Sequence, residues 1–317
     1  SAASDVYKRQ LSSNQIHRLH HTFFVPKGDI KASLLIVHGM SEHSGRYANF
    51  AKFLADNGIL VLTFDLLGHG KTVKDRYELG FFDEKYPVQL LSKDVMIMAD
   101  TLKSKAEQLS LTTTPCFIMG HSMGSFLVRT VLCHHATSFD GVILMGTANR
   151  YNAINQAGLL YLTTLNRLRP KKTNHRLARL VNGYLLNQIR SPISPSPFAW
   201  LSENIDAIKA FEEDDLTGFS FSNNGFFTLQ SLLKIACSHH WYQHLPSNTP
   251  ILLISGKDDP VGNMGQDILA LQETLIQAQK SVGVILYPNM RHEPLHETDF
   301  IQVYHDILRW LNQALIK

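Results

Sequence analysis

The sequence predicts an α/β fold, in which a mostly parallel sheet is flanked by helices and interrupted by an inserted helical cap. Short apolar runs alternate with amphipathic stretches along most of the chain, as a parallel sheet with crossover helices requires. The alternation stops between Thr147 and about Asn248, where only helical patterns appear. The chain has 317 residues, which is enough for one large α/β domain with an insertion.

The elements of the predicted sheet follow one another in simple order. A polar leader, residues 1–14, has no core pattern and no hydrophobic signal core, and we expect it to be disordered. The first part of the α/β core is assigned to residues 15–148 and the second part to 249–317. The predicted core elements are one or two antiparallel edge strands within 15–27, strands at Ala32–Val37, Ile59–Phe64, Cys116–Gly120, Gly141–Met145, Pro250–Ser255 and Val282–Tyr287, and helices at Tyr47–Asn57, Val88–Leu109, Phe126–His135, 265–280 and 299–315.

Residues 149–248 form the predicted cap. Helical patterns cover Ile154–Leu168, His175–Ile189 and Phe226–Cys237, and a Pro/Ser-rich turn lies at Ser191–Pro197. Because the insertion follows a strand of a parallel sheet, we expect it to cover the edge where such sheets hold their sites. Its expected role is to line an apolar pocket and exclude water.

Composition excludes several classes of protein. The hydrophobic share of 44% and charged share of 18% are those of a packed globular chain, and a formal charge of +3 is too small to indicate nucleic-acid binding. No apolar run reaches the ~18 residues needed to span a bilayer. The three cysteines are far apart, and their odd count and strand or helix settings favour buried thiols in a reducing, cytoplasmic compartment. Adjacent histidines such as His239-His240 diverge in direction, so we expect no metal site. No motif in the sequence implies a cofactor.

The segment from Cys116 to Ser125 is the strongest indication of function. It reads as an apolar strand, then G-x-S-x-G, then a helix, which is the context of a nucleophile elbow. Gly120 and Gly124 leave room where strand and helix backbones nearly touch. Ser122 would then stand clear of the sheet, with a helix N-terminus behind it that favours negative charge.

A serine nucleophile needs a base, and the base needs an acid that orients it. In this kind of site the acid and then the histidine follow the serine in the chain. Asp258 and Asp259 come directly after the strand at Pro250–Ser255, and His292 follows the strand at Val282–Tyr287. All three lie where parallel strands end, so they meet Ser122 at one edge of the sheet.

The same motifs resemble the α/β-hydrolase superfamily, in particular its monoacylglycerol lipase, lysophospholipase and serine aminopeptidase-like group. The resemblance covers about residues 20–315. Its matching segments are the oxyanion-loop sequence His38–Tyr47, the turn Asp65–Gly70, the elbow Gly120–Gly124, the cap sequences Phe198–Ser202 and Gly218–Phe221, and the acid and histidine loops Gly256–Val261 and Arg291–Glu293.

The resemblance implies roles for single residues. Its spacing, three residues past Gly256, selects Asp259 over Asp258 as the acid beside His292. The oxyanion would be held by the backbone N–H groups of Met123 and Met40. Asp65 is expected to pin its own turn, although some hydrolases use a carboxylate there.

Two further histidines, His38 and His121, flank the implied site. Both are expected to orient neighbouring groups by hydrogen bonds rather than to act as bases.

The implied reaction is hydrolysis of lipid esters, with a small-molecule lipid or ester as substrate. Peptide or amide hydrolysis is the alternative, and it would need an acidic cluster for the substrate ammonium; Glu212–Asp215 is the candidate, although such runs are usually solvated. A catalytically inactive binding protein is a third alternative, because a fold alone does not determine function.

The expected substrate-binding residues lie in one apolar helix of the cap. Leu159, Leu162 and Leu165 are predicted to line the acyl slot. The same helix has a basic end, so it is also a candidate for transient membrane-surface contact, with the protein peripheral at the membrane.

Overall fold

The computed structural model of the chain describes residues 4–110, 113–189 and 194–316. The strands among these residues form one sheet in the order β1-β2-β4-β3-β5-β6-β7-β8. β1 pairs with β2 and β2 with β4 in antiparallel fashion, and the other neighbours are parallel. The strands are β1 (Ser4–Leu11), β2 (Arg18–Val25), β3 (Ala32–Val37), β4 (Ile59–Phe64), β5 (Cys116–His121), β6 (Gly141–Met145), β7 (Ile251–Gly256) and β8 (Val282–Tyr287).

The N-terminal residues correct one prediction. Residues 4–11 form the edge strand β1 and not a disordered leader; residues 1–3 lie outside the described part of the chain. The strand was missed because pairing at an edge uses backbone groups and leaves no apolar pattern in the sequence. The turn after it is fixed to a core helix, since Ser12 Oγ and Ser13 N–H donate to the two carboxylate oxygens of Asp94 at 2.8 and 2.6 Å.

Helices cover both faces of the sheet because neighbouring strand residues point to opposite sides. In β3, Leu35 and Val37 join the core cluster on one face, while Leu34 and Ile36 join the cluster on the other. The first face packs against α2 (Pro87–Leu109), α3 (Met123–His135) and α9 (Gln266–Gln277), and the second against α1 (Ala48–Asp56) and α10 (Phe300–Ala314).

The segment between β6 and β7 is helical in its described residues. Its helices are α4 (Ala153–Leu168), α5 (His175–Leu186), α6 (Ile205–Glu213), α7 (Asn223–Ala236) and α8 (His240–Gln243). We call residues 149–248 the cap. The sequence did not predict α6, which begins after the N-cap Asn204, whose side chain accepts from the N–H groups of Asp206 and Ala207. Residues 191–193 of the predicted Pro/Ser-rich turn lie outside the described residues.

Across residues 4–110, 113–189 and 194–316, no helix combines the length and the apolar character that crossing a bilayer requires.

Candidate active site

Ser122 lies on a strained turn between β5 and α3. Its backbone has φ 52° and ψ −121°, which is a rare conformation for a residue with a side chain. The two flanking glycines permit the close approach that this turn creates. A Cβ on Gly120 would lie 2.5 Å from the carbonyl oxygen of Gly124, and a Cβ on Gly124 would lie 2.2 Å from that of Val37.

The structure brings Ser122, His292 and Asp259 into one hydrogen-bonded chain. His292 Nε2 lies 2.8 Å from Ser122 Oγ, and His292 Nδ1 lies 3.0 and 3.1 Å from the two carboxylate oxygens of Asp259. Asp258, the other candidate acid, is exposed. These three side chains therefore have the geometry in which a carboxylate orients an imidazole and the imidazole faces a hydroxyl.

Asp259 is fully buried, yet it keeps its charge. Burial alone would raise its pKa, but the His292 ring and two further hydrogen bonds together lower the pKa below the ordinary value. Ser255 Oγ and the Val261 N–H add hydrogen bonds of 2.9 and 2.8 Å. A carboxylate that stays ionised here can hold the imidazole in one tautomer and stabilise its protonated form.

The two predicted oxyanion donors come from two segments, the start of α3 and the loop after β3. Met123 is the first residue of α3, so its N–H has no carbonyl partner within the helix. Met40 lines the same cavity as Ser122, in the loop after β3. That loop is held by His38: the Leu66 N–H donates to Nε2 at 3.0 Å, so Nδ1 carries the proton and donates to the Gly39 carbonyl at 2.8 Å. Burial lowers the pKa of His38, which keeps this ring neutral.

A buried ionic network borders the site. Arg46 donates to Glu42 at 2.8 Å and forms a two-bonded pair with Glu293, with both bonds at 2.7 Å. Burial would raise the pKa of Glu293, but the guanidinium lowers it. Glu293 follows His292 in the chain, so the pair links the histidine loop to the oxyanion loop.

His121 extends this network to the elbow. Its Nδ1 lies 3.1 Å from Glu42 Oε1 and its Nε2 lies 3.1 Å from the His292 carbonyl oxygen. Burial would lower the pKa of His121, but the bond to Glu42 raises it. Burial would raise the pKa of Glu42, but His121 and Arg46 hold it well below its ordinary value. Glu42 also accepts from the Gly39 N–H at 2.6 Å, which fixes the residue before Met40.

The structure agrees with the orienting roles expected for His38 and His121. Asp65 lies in its own turn, where it accepts from the Ser44 N–H at 2.8 Å and from the Lys71 N–H at 2.7 Å. The sequence did not reveal the network of Glu42, Arg46 and Glu293. The spacing of Glu42 and Arg46 is visible in the sequence. Glu293, the second partner of Arg46, lies 247 residues away along the chain.

A cavity of about 550 Å³ contains Ser122 and His292. Its walls are mainly apolar or aromatic. Among the cap helices, α5 supplies the largest number of the residues that line it. Side chains from the oxyanion loop, the elbow and the acid loop complete it. The cap residues on the wall include Ala178, Leu180, Val181, Tyr184, Leu185, Phe198, Trp200, Phe211, Phe219, Leu229 and Leu233.

The predicted substrate-binding residues are not on this wall, and that prediction was wrong. Leu162 is buried and Leu165 half-buried in the core cluster that α7 also joins, while Leu159 faces a separate groove. The apolar stripe of α4 is therefore used for packing. Only the first turn of α4, through Ile154 and Asn155, reaches the catalytic cavity.

No cluster of three or more His, Cys, Asp or Glu side chains suited to a metal ion occurs in the described ranges of the chain.

The fold and this site together define a class of protein, and comparisons with known proteins agree. Residues 28–299 match the family model described as "Serine aminopeptidase, S33". Monoglyceride lipase of Mus musculus is 30% identical over 296 residues, covering 92% of this chain and 86% of that protein.

Two solved structures show the same architecture. A carboxyl esterase from Bacillus coagulans has a TM-score of 0.88 at 24% identity, with 99% of each chain covered. A monoglyceride lipase from Saccharomyces cerevisiae has a TM-score of 0.76 at 18% identity, covering 99% of this chain and 96% of that one. The molecule is an α/β-hydrolase. It belongs to the serine aminopeptidase, S33 family, and it is similar in sequence to monoglyceride lipases.

Proposed function

We propose that the protein is a serine hydrolase that cleaves carboxylic esters of single-chain lipids, a monoacylglycerol or a lysophospholipid, through an acyl-enzyme on Ser122. The observation that carries the proposal is the hydrogen-bonded chain from Ser122 through His292 to Asp259, which opens into a largely apolar cavity. A polar reacting centre with an apolar wall suits a substrate with one ester and one long chain.

The first half of the reaction forms the acyl-enzyme. His292 Nε2 takes the proton of Ser122 as Oγ attacks the ester carbon, and Asp259 stabilises the resulting imidazolium. The negative oxygen of the tetrahedral intermediate is held by the N–H groups of Met123 and Met40. The C–O bond then breaks, and the imidazolium returns its proton to the leaving alcohol.

Water completes the cycle by the same groups. His292 takes a proton from a water molecule, whose oxygen attacks the acyl carbon, and the same N–H groups stabilise the second oxyanion. The bond to Ser122 Oγ breaks, the proton returns to the serine, and a free acid leaves.

The relatives support an ester of a lipid over an amide. Mouse monoglyceride lipase and the yeast monoglyceride lipase structure both carry that substrate in their names. The acids in the cavity wall are already paired: Glu42 and Glu293 with Arg46, and Asp267 with Arg150 at 2.9 Å. Glu212–Asp215 lies outside the described cavity wall. A free ammonium group of a peptide therefore has no unpaired carboxylate among the described wall residues.

We also propose that the cap touches a lipid surface. Ile154, Leu180 and Tyr184 border the cavity and are 80%, 69% and 64% exposed. Between Asp140 and Glu203 the sequence has no acidic residue, while the same stretch carries lysines and arginines. Exposed apolar groups beside basic ones suit an interfacial position. Sedimentation with vesicles of mixed neutral and anionic phospholipid would test this contact, and Leu180→Asp should weaken it.

The catalytic proposal is tested at the nucleophile. Ser122→Ala should lower kcat for ester hydrolysis by about 10³-fold or more while the fold is kept. A fluorophosphonate probe should label the wild type at Ser122 and leave the alanine variant unlabelled. Labelling of the variant would place the nucleophile elsewhere, and an unlabelled wild type would favour an inactive binding protein.

The substrate is tested with a panel. Monoacylglycerol, lysophosphatidylcholine, p-nitrophenyl esters of increasing chain length and an aminoacyl-anilide are compared by kcat/KM. A preference for the anilide would overturn the proposed ester specificity and favour the peptidase alternative.

A further inference from the structure

Ser41 connects the oxyanion loop to the cap by hydrogen bonds from two of its groups. Its hydroxyl donates to the Phe219 carbonyl at 2.7 Å, and its own carbonyl accepts from the Gly218 N–H at 2.9 Å. It is the residue next to Met40. The oxyanion loop and the cap are therefore joined at the position beside one proposed oxyanion donor.

The cap partner of Ser41 is also part of the substrate cavity. We call Gly218–Phe221 the cap segment; its first three residues line the cavity that contains Ser122. The rings of Phe219 and Phe221 lie 5.3 and 5.4 Å from the His69 ring on the core. A substrate chain in the cavity would thus contact the segment that is bonded to Ser41.

The backbone N–H of Ser41 is held by the core. Its N–H donates to His69 Nε2 at 3.3 Å, and His69 Nδ1 donates to the Leu67 carbonyl at 3.0 Å. Burial lowers the pKa of His69 to about 3, so the ring stays neutral and Nε2 remains an acceptor. Ser41 is thus held between a rigid core histidine and the cap.

The backbone of Ser41 is strained. Its φ of 54° lies in the left-handed region, which a serine rarely adopts. Such a conformation persists where surrounding contacts determine it, and here the surrounding contacts are the three bonds to His69, Gly218 and Phe219.

We infer that Ser41 is a positioning residue that holds the Met40 N–H toward Ser122 through the docked cap segment. Contacts between substrate and the cap segment then stabilise the oxyanion loop, and binding energy from the acyl chain appears in kcat instead of KM. The inference rests on the serine mechanism proposed above.

Two variants test the inference by removing the same hydroxyl. Ser41→Ala and Ser41→Gly should each lower kcat on a long-chain p-nitrophenyl ester by about 10- to 100-fold, because small misplacements of an oxyanion donor are costly. KM should change little. Affinity for a trifluoromethyl ketone, whose adduct places an oxyanion in the same position, should fall by the same factor as kcat/KM. Ser41→Gly suits the positive φ, so it remains informative if the alanine variant folds poorly.

A matched control separates positioning from stability. Ser222 Oγ donates to the Gly80 carbonyl at 2.8 Å, a bond that also joins cap to core but includes no residue of the oxyanion loop. Ser222→Ala should lower Tm and leave kcat unchanged.

The inference is overturned if Ser41→Gly retains the wild-type kcat, if only KM changes, or if the ketone binds as before. A wild type that does not hydrolyse esters would instead overturn the proposed function.

Discussion

Single residues at the site depend on their buried neighbours for their charge. Asp259 stays ionised at full burial because His292, Ser255 and the Val261 N–H all favour the carboxylate. Asp258, one residue earlier, is exposed and carries no such contacts to the imidazole. Two adjacent aspartates therefore have different expected effects on catalysis.

We expect Asp259→Asn to lower kcat by about 10³- to 10⁴-fold, because the amide no longer holds the required tautomer of His292. Asp258→Asn is the matched control and should stay near the wild type. Steady-state kinetics on one soluble ester gives both values. A larger loss in the Asp258 variant would show that the acid has been misidentified.

The pair of Glu42 and His121 predicts a pH dependence of stability. Glu42 raises the pKa of His121 above 6.5, so this contribution is complete below that pH and is lost as pH rises through the raised pKa. The pKa of Glu42 is below 4.5, so its contribution is present above that pH and is lost as pH falls through the lowered pKa. The pair therefore stabilises the fold most between pH 4.5 and pH 6.5.

Thermal melts of the wild type and Glu42→Gln over a pH series check this expectation. The difference in Tm between them should be largest between pH 4.5 and 6.5, the ordinary values of the two groups, and should shrink on either side. A difference that grows as pH rises past this window would contradict the assignment.

At the scale of elements, two cap helices with similar patterns have different partners. α4 uses its apolar stripe to pack beside α7, whereas α5 presents apolar side chains to the catalytic cavity. Leu160 on α4 and Leu180 on α5 are both exposed, at 73% and 69%, but only Leu180 lines the cavity.

These two leucines form a matched pair of variants. Leu180→Asp should raise KM for long-chain esters several-fold more than for an acetyl ester, because each buried methylene contributes about 0.8 kcal/mol and only the long chain reaches α5. Leu160→Asp should leave both values unchanged on soluble esters. Equal losses on acetyl and long-chain esters in the Leu180 variant would indicate a folding defect instead.

The same contrast explains how far the sequence could be interpreted. The elbow at Ser122 and the loops of Asp259 and His292 were predictable, because each has a local signal at the end of an apolar strand. The wall of the cavity was not, because periodicity shows that α4 has an apolar side but not which helix that side faces. β1 was missed for a related reason, since its pairing uses backbone groups.

At the scale of the whole molecule, cap and core share one hydrophobic cluster. Phe226, Leu232 and Trp241 of the cap belong to the same cluster as the core helix α3. Buried Arg129 of α3 adds a polar connection, because it donates to the cap carbonyl of Ala236 at 3.0 Å. Neither part can separate without exposing apolar surface.

We therefore expect one cooperative unfolding transition. The chain has three tryptophans, with Trp200 and Trp241 in the cap and Trp310 in α10. Thermal midpoints from tryptophan fluorescence and from far-UV circular dichroism should coincide. A fluorescence transition that precedes the loss of helix signal would show that the cap unfolds independently.

The order of the sheet also has a consequence for biosynthesis. β6 and β7 are neighbours, although the whole cap separates them along the chain. A ribosome releases Ser122 first and then the cap, while Asp259 and His292 emerge only with β7 and β8. A nascent chain therefore carries its elbow before Asp259 and His292 are in place, and under the proposed mechanism Ser122 gains its acid and base only when the last strands join the sheet.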